Sequence, residues 1–353
     1  MGRTLYGHEA VKEALDISLQ RDERVFLIGQ GVPDGSQTYG TTSGLYEKFG
    51  PERVFEMPLA EAAMVGAMVG AAIVGSRPVM TFARVEFALL AMDAIVNQAA
   101  KWSYMFDGVA NVPLTLRLIV GRGWGQGAQH SQSLQALFAH IPGLKVVMPS
   151  TPHDLKGLLI ASIEDPNPVI ILEHRWLHYN FGEVPEGYYN VPLGLPHVMC
   201  EGGDVTVVSS SYMTFEAAKA ASILRSEGIK VDLIDLRTIA PLNHEMILDS
   251  VKKTGRLVVC DHATYTGGIS AEIVSRVVEN SIGALKSSPV RVTLPDVPIS
   301  TTRALANYCY PTVAHITNAV KKTLGLEGLS DPFESIAATD LLDIPDSSFK
   351  GPF

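Results

Sequence analysis

The sequence predicts an α/β protein built from two parallel-sheet domains in series. Three observations carry this. Short apolar runs bounded by Gly and Pro alternate with stretches of helical period along most of the chain. The runs lack the apolar–polar alternation of a half-exposed strand, so helices cover both faces of each sheet. One stretch, Arg175 to Gly203, has no period and is rich in Gly, Pro and aromatic residues, and the alternation restarts after it.

In order, a helix is expected over 7–20, then a strand from Val25 (VFLIG), a helix over 61–75 and a strand from Pro78 (PVMTF). A helix over 88–104 leads to a strand from Pro113 (PLTLRLIVG), a strand from Leu144 (LKVVMP), a helix over 152–163 and a strand from Pro168 (PVIIL). Beyond the break, strands are expected at Val205–Ser209, Val231–Asp235, Leu257–Cys260 and Val290–Leu294, with helices near 214–226, 243–252, 268–284 and 312–324. The first domain is therefore 1–180, the interdomain connection 181–203 and the second domain 204–325. The tail, 326–353, holds six acids and one lysine. Both a solvated tail and an arm laid over a partner subunit fit it.

The 353 residues suit about two domains at roughly 150 each. Charged residues make up 18%, against a usual ~25%, which points to a large interior and to surface covered by other subunits. A net charge of −9 provides no basic face for a nucleic-acid backbone. Cys200, Cys260 and Cys309 are too scattered for a disulfide framework or a zinc cage. The amino terminus has no signal-peptide pattern, and the apolar stretch Ala62 to Val74 is too short to span a bilayer. A soluble, cytoplasmic chain is expected.

Two stretches bear on chemistry. PLAEAAMVGAMVGAAIVGSRP, from Pro58, places Glu61 at the head of an apolar helix with Ala62, Gly66 and Gly70 spaced four apart. Glycine inside a helix costs about 1 kcal/mol relative to alanine, so this ridge implies close approach of another backbone. Glu61 fits a catalytic role, and it also fits a carboxylate placed at the helix's positive end. LIVGRGWGQGAQHSQ brings His130 into a glycine-rich loop after a strand, where parallel-sheet proteins place ligands. A structural, hydrogen-bonded histidine fits the same pattern.

EMPLAEAAMVG, AMDAIVNQAAKW, GAQHSQSLQALFAHIPGLKVVMPSTPHDLKGLL, NPVIILEH, IDLRTIAPLN and KTGRLVV, in this order from about Thr4 to about Gly325, together resemble one family. It is the β subunit of the thiamine diphosphate-dependent decarboxylating component of 2-oxo acid dehydrogenase complexes, of pyruvate, acetoin and branched-chain type. The resemblance implies a transketolase-like pyrimidine-binding domain followed by a transketolase carboxy-terminal domain. It implies decarboxylation of a 2-oxo acid with transfer of the acyl group to a lipoyl acceptor. Glu61 matches the glutamate that hydrogen-bonds the aminopyrimidine and favours its imino tautomer. Phe87 matches the aromatic packed beside the pyrimidine, and His130 the active-site histidine facing the substrate. Backbone carbonyls of Leu114, Ser162, Asp165 and Asn167 match a potassium site.

No Gly-Asp-Gly magnesium–diphosphate motif occurs in the sequence. Half of the cofactor site, with Mg2+, is therefore expected on an α subunit in an α2β2 heterotetramer, with a lipoyl acyltransferase core as a further partner. The sequence departs from the family at Gly29-Gln30-Gly31, at Arg84 and Glu86, and at Cys260-Asp261-His262. These departures admit a split-subunit carboligase or ketol transferase, for which Arg84, Arg117 and Arg122 are the candidate basic residues. A non-catalytic regulatory subunit is the third reading, opposed by the presence of both Glu61 and His130.

Overall fold

The computed structural model describes residues 3–36, 38–121 and 126–328, the side chains of 303 and 306 apart. They form two compact units: residues 3–121 with 137–193, and the segment 126–136 with the residues from Gly194 onward. Arg122, Gln37 and the tail from 329 lie outside the described residues.

The first unit opens with β1 (Arg3–Tyr6) and α1 (Gly7–Arg21), whose Ala10, Val11, Ala14 and Leu15 are fully buried. Then come β2 (Val25–Gly29), α2 (Leu45–Phe49), β3 (Val54–Phe55), α3 (Glu61–Ile73) and β4 (Arg77–Phe82). After α4 (Ala100–Met105) and β5 (Thr115–Val120), α5 (Gln135–Ala139) precedes β6 (Lys145–Val147), α6 (Pro152–Glu164), β7 (Val169–His174) and β8 (Phe181–Val184). Six of these strands form a parallel sheet in the order β6-β7-β5-β4-β2-β3. Every residue of β5 and β7 is buried, as two-sided cover by helices requires. The start of α6 is fixed by Thr151, whose hydroxyl accepts the Asp154 N–H at 3.1 Å, and by Pro152 in the first turn.

The second unit has β9 (His197–Cys200), β10 (Val205–Ser209), α7 (Tyr212–Ser226), β11 (Val231–Asp235), β12 (Thr238–Ala240) and α8 (His244–Thr254). It continues with β13 (Leu257–Thr264), α9 (Ile269–Ser281), β14 (Val290–Leu294), α10 (Arg303–Ala306) and α11 (Val313–Leu324). Its sheet runs β14-β13-β10-β11-β9, parallel except for β9. Val205, Val207, Val231 and Leu233 pack on Met213, Ala217 and Ala220 of α7 and on Ile316 and Val320 of α11.

Two expectations are corrected. The helix expected over 88–104 is three pieces: a 3-10 turn at Val85–Ala91, a π-helical turn at Ala94–Ala99 and α4. A 3.6-residue apolar period cannot distinguish these windings, which tend to gather at functional sites. The connection after Arg175 contains two strands: β8 pairs antiparallel with β1, and β9 closes one edge of the second sheet. No described helix is long and apolar enough to cross a membrane.

Candidate active site

The site begins with Glu61 at the first position of α3. Glu61 is only 7% exposed, yet its carboxylate accepts no hydrogen bond from any described residue. The carboxylate oxygens at the head of α3 are therefore open to a donor from outside the described residues. Gly66 and Gly70, on the same helix, would carry a Cβ into open space. The expected ridge is therefore real and faces outward.

Phe87 is half-buried in the Val85–Ala91 turn, which packs directly against α3. The turn that carries Phe87 thus packs on the helix that Glu61 heads. The Gly29-Gln30-Gly31 turn after β2 is closed from below by Glu56, whose two carboxylate oxygens each accept the Gly31 N–H at 3.0 Å. The sequence reading missed Glu56, which carries no motif.

The carboxyl ends of β4, β5 and β7 gather charge. Arg117, taken as a candidate basic residue for substrate, is fully buried against Glu173 instead, with Nε–Oε1 at 2.6 Å and Nη2–Oε2 at 2.9 Å. His178 Nε2 lies 2.8 Å from Glu173 Oε2. Burial raises the Glu173 pKa, but the Arg117 charge, with hydrogen bonds from Arg117 and His178, outweighs it and holds the carboxyl at about 2. Burial holds the His178 imidazole below its usual value, so it is neutral at pH 7. Arg117 is therefore already neutralised. Arg84 is not: it is 6% exposed and donates from Nη1 to the Gly121 carbonyl at 3.2 Å. Gly121 has φ +105°, and a Cβ there would meet the His174 ring at 2.5 Å, so only glycine fits. Arg175, which the sequence reading missed, lies buried nearby with its guanidinium 5.6 Å from the Tyr39 ring.

Of the four proposed cation-binding carbonyls, those of Leu114, Ser162 and Asp165 accept hydrogen bonds from the chain itself. Leu114 O accepts the Val169 N–H at 2.9 Å, and Ser162 O accepts Thr115 Oγ1 at 3.1 Å. Asp165 Oδ1 accepts the Asn167 N–H, and Asp165 O accepts Arg77 Nη1 at 3.2 Å. Arg77 Nη1 also reaches Ile163 O at 2.8 Å and Lys145 Nζ pairs with Asp165 Oδ2, so this turn already holds two positive charges of the chain's own.

His130 is half-buried just before α5, in the segment that packs with the second unit. That segment is tied down by the residues found at Cys260-Asp261-His262. Gln135 Nε2 donates to Asp261 Oδ1 at 2.8 Å, and Ser133 Oγ lies 3.0 Å from His262 Nδ1. The His262 ring stacks on Tyr310 at 6.0 Å. Burial pushes the Asp261 carboxyl up, against hydrogen bonds from Gln135 and the Ser270 N–H that pull it down. Both tethers pair residues over a hundred positions apart, which no local pattern reveals.

A family profile described as "Transketolase, pyrimidine binding domain" matches residues 5–179, and one described as "Transketolase, C-terminal domain" matches residues 196–316. The β subunit of acetoin:2,6-dichlorophenolindophenol oxidoreductase from Cupriavidus necator is 42% identical over 92% of this chain and 98% of its own length. The chain belongs to the transketolase-like β subunits of 2-oxo acid dehydrogenase decarboxylating components. The pyruvate dehydrogenase E1 component subunit beta of Rickettsia bellii, a second member, is 41% identical over 89% of this chain and 97% of its own length. Among solved structures, a split-gene transketolase described as an inactive beta4 tetramer superposes with a TM-score of 0.72 at 25% identity, covering 92% of this chain and 99% of that one. The two-domain α/β architecture is that of the family.

Proposed function

We propose that this chain is the β half of a heteromeric thiamine diphosphate enzyme that decarboxylates a 2-oxo acid and passes the acyl group to a lipoyl acceptor. The observation that carries the proposal is the Glu61 carboxylate, without a donor among the described residues, at the head of a helix whose small-residue face is open. When bound, thiamine diphosphate supplies the carbon nucleophile and the electron sink that 2-oxo acid cleavage needs. Glu61 would hold a ring nitrogen of its pyrimidine through a shared proton, and Phe87 would pack beside that ring. His130 donates a hydrogen bond to the substrate carbonyl or carboxylate, a contribution typically worth 10²–10⁴-fold. Asp261 and His262 act through the His130 segment by fixing Gln135 and Ser133.

The diphosphate and Mg2+ belong to an α subunit, since no Gly-Asp-Gly run occurs in this sequence. The assembly is an α2β2 heterotetramer in which the Gly66–Gly70 face of α3 is covered. A potassium ion is assigned to the carbonyls of Leu114, Ser162, Asp165 and Asn167, sharing their turn with the Arg77 guanidinium. The reading places the enzyme in the cytoplasm, docked on a lipoyl acyltransferase core.

Native mass spectrometry of the chain alone and with its α partner, with thiamine diphosphate and Mg2+ present, tests this. A heterotetramer carrying two cofactors, with none on the chain alone, is expected. A homo-oligomer that binds the cofactor by itself would overturn the half-site reading.

A further inference from the structure

We infer that Arg84 and Arg175 form an anion-binding subsite at the carboxyl ends of β4 and β7. This subsite reads a second negative group, a carboxylate or a phosphate ester, on the acyl donor. The inference rests on the proposed function and specifies its substrate class.

Arg84 carries the argument. It is 6% exposed, and among the described residues it makes no ion pair: its guanidinium donates only to the Gly121 carbonyl. A buried guanidinium is stable when an anion faces it, and a neutral carbonyl does not supply that charge. Arg175, 1% exposed, adds a second buried guanidinium; it follows His174, whose ring faces Gly121, the residue whose carbonyl accepts from Arg84. Burial first, and the Arg84 charge second, lower the Arg175 guanidinium to about 10. Two guanidinium groups at the ends of β4 and β7 offer planar, bidentate donors to an anion.

Its place in the fold identifies the anion's source. Parallel α/β sheets bind ligands at the carboxyl ends of their strands. Arg84 directly precedes the Val85–Ala91 turn that carries Phe87 and packs on the helix headed by Glu61. The wall of the subsite is Tyr39, a non-glycine residue at φ +57° whose ring lies 5.6 Å from the Arg175 guanidinium. Such backbone strain persists where the surroundings demand it and gathers at ligand sites. Arg117, the competing arginine on β5, is excluded because Glu173 takes its charge.

The holoenzyme with its α partner is assayed for kcat/KM on pyruvate, on 2-oxoglutarate and on fructose 6-phosphate, with Arg84→Gln, Arg175→Gln and Arg84→Lys beside the parent. The ratio of kcat/KM for an anion-bearing donor over pyruvate is expected to fall at least tenfold in both glutamine variants and to recover in part in Arg84→Lys. A fall with 2-oxoglutarate assigns the anion as a carboxylate, and a fall with fructose 6-phosphate as a phosphate ester. Inorganic phosphate or malonate is expected to raise the melting temperature of the parent, and Arg84→Gln to abolish that rise. This second measurement needs no turnover, so it separates the two readings. An Arg84-dependent rise with no turnover of any donor would sink the proposed reaction and leave the subsite standing. An unchanged donor ratio in the variants, or no anion-dependent rise in the parent, overturns the subsite.

Discussion

Glu61 and Glu173 are both buried carboxylates, and their surroundings give them opposite roles. Glu173 is saturated by Arg117 and His178, whereas Glu61 has no donor among the described residues. Glu61→Gln is expected to lower turnover by at least about 10²-fold while the heterotetramer still forms, because an amide cannot share the ring proton. Native mass and steady-state rate, measured together, check it; parent-like turnover removes Glu61 from its role. Glu173→Gln is expected to destabilise the fold by about 3–5 kcal/mol, because it strands the buried Arg117 charge. The pH dependence follows from the same group. Glu173, ordinarily near 4.5, sits at about 2 in the fold, so the unfolded chain binds its proton more tightly. Its stabilisation is complete above pH 4.5 and is lost as pH falls from there toward 2. His178, held below its ordinary 6.5, has the same sign: its contribution is complete above pH 6.5 and declines below it. The melting temperature should therefore fall on acidification from pH 6.5, and the limb below pH 4.5 should flatten in Glu173→Gln. A parallel limb in the variant would refute the assignment.

At the scale of elements, what was legible was what repeats locally. Both sheets and most of the long helices follow from the apolar runs and their spacing, and Glu61, Phe87 and His130 were candidates because collinear motifs carry them. The winding of 85–105 escaped, because 3-10, π and α turns bury similar apolar residues. Arg175 escaped because a charged residue just past an apolar strand reads as solvated loop, while here it is buried. The tethers from Asp261 to Gln135 and from His262 to Ser133 join distant segments and leave no periodic signal. The turn between α6 and β7 shows why carbonyl sites are equally silent. Leu114, Ser162 and Asp165 offer main-chain oxygens whatever their side chains, and Arg77 already donates to Asp165 O and Ile163 O. Arg77→Met is expected to cost about 1.5–3 kcal/mol by deleting a charge-assisted donor. KCl, and not choline chloride, should restore part of that loss in thermal melts, as the ion takes over the vacated carbonyls. Equal melting in the two salts would remove potassium from this turn.

For the molecule as a whole, the low charged fraction has a location. Leu59 is 81% exposed, Val74 83%, Tyr104 90% and Val109 89%, all in the first unit. Leu59 and Val74 flank α3 at either end, and Gly66 and Gly70 lie between them with open space where a Cβ would project. Apolar surface of this kind marks an interface, and small residues four apart set how closely a second helix can approach. Gly70→Leu separates this role from one in folding. A Cβ at this position meets nothing within 4 Å among the described residues, and leucine favours a helix over glycine by somewhat less than about 1 kcal/mol, so the melting temperature of the isolated subunit should hold or rise. The same side chain would stand in the closest part of a helix crossing, where overpacking costs typically 1–3 kcal/mol or more. Native mass should then shift from heterotetramer toward free subunits, with cofactor occupancy falling alongside because the second half of its site is lost. If Gly70→Leu instead assembles at parent affinity, the open ridge is not the contact face, and the exposed Tyr104–Val109 surface becomes the next to test by the same substitution logic.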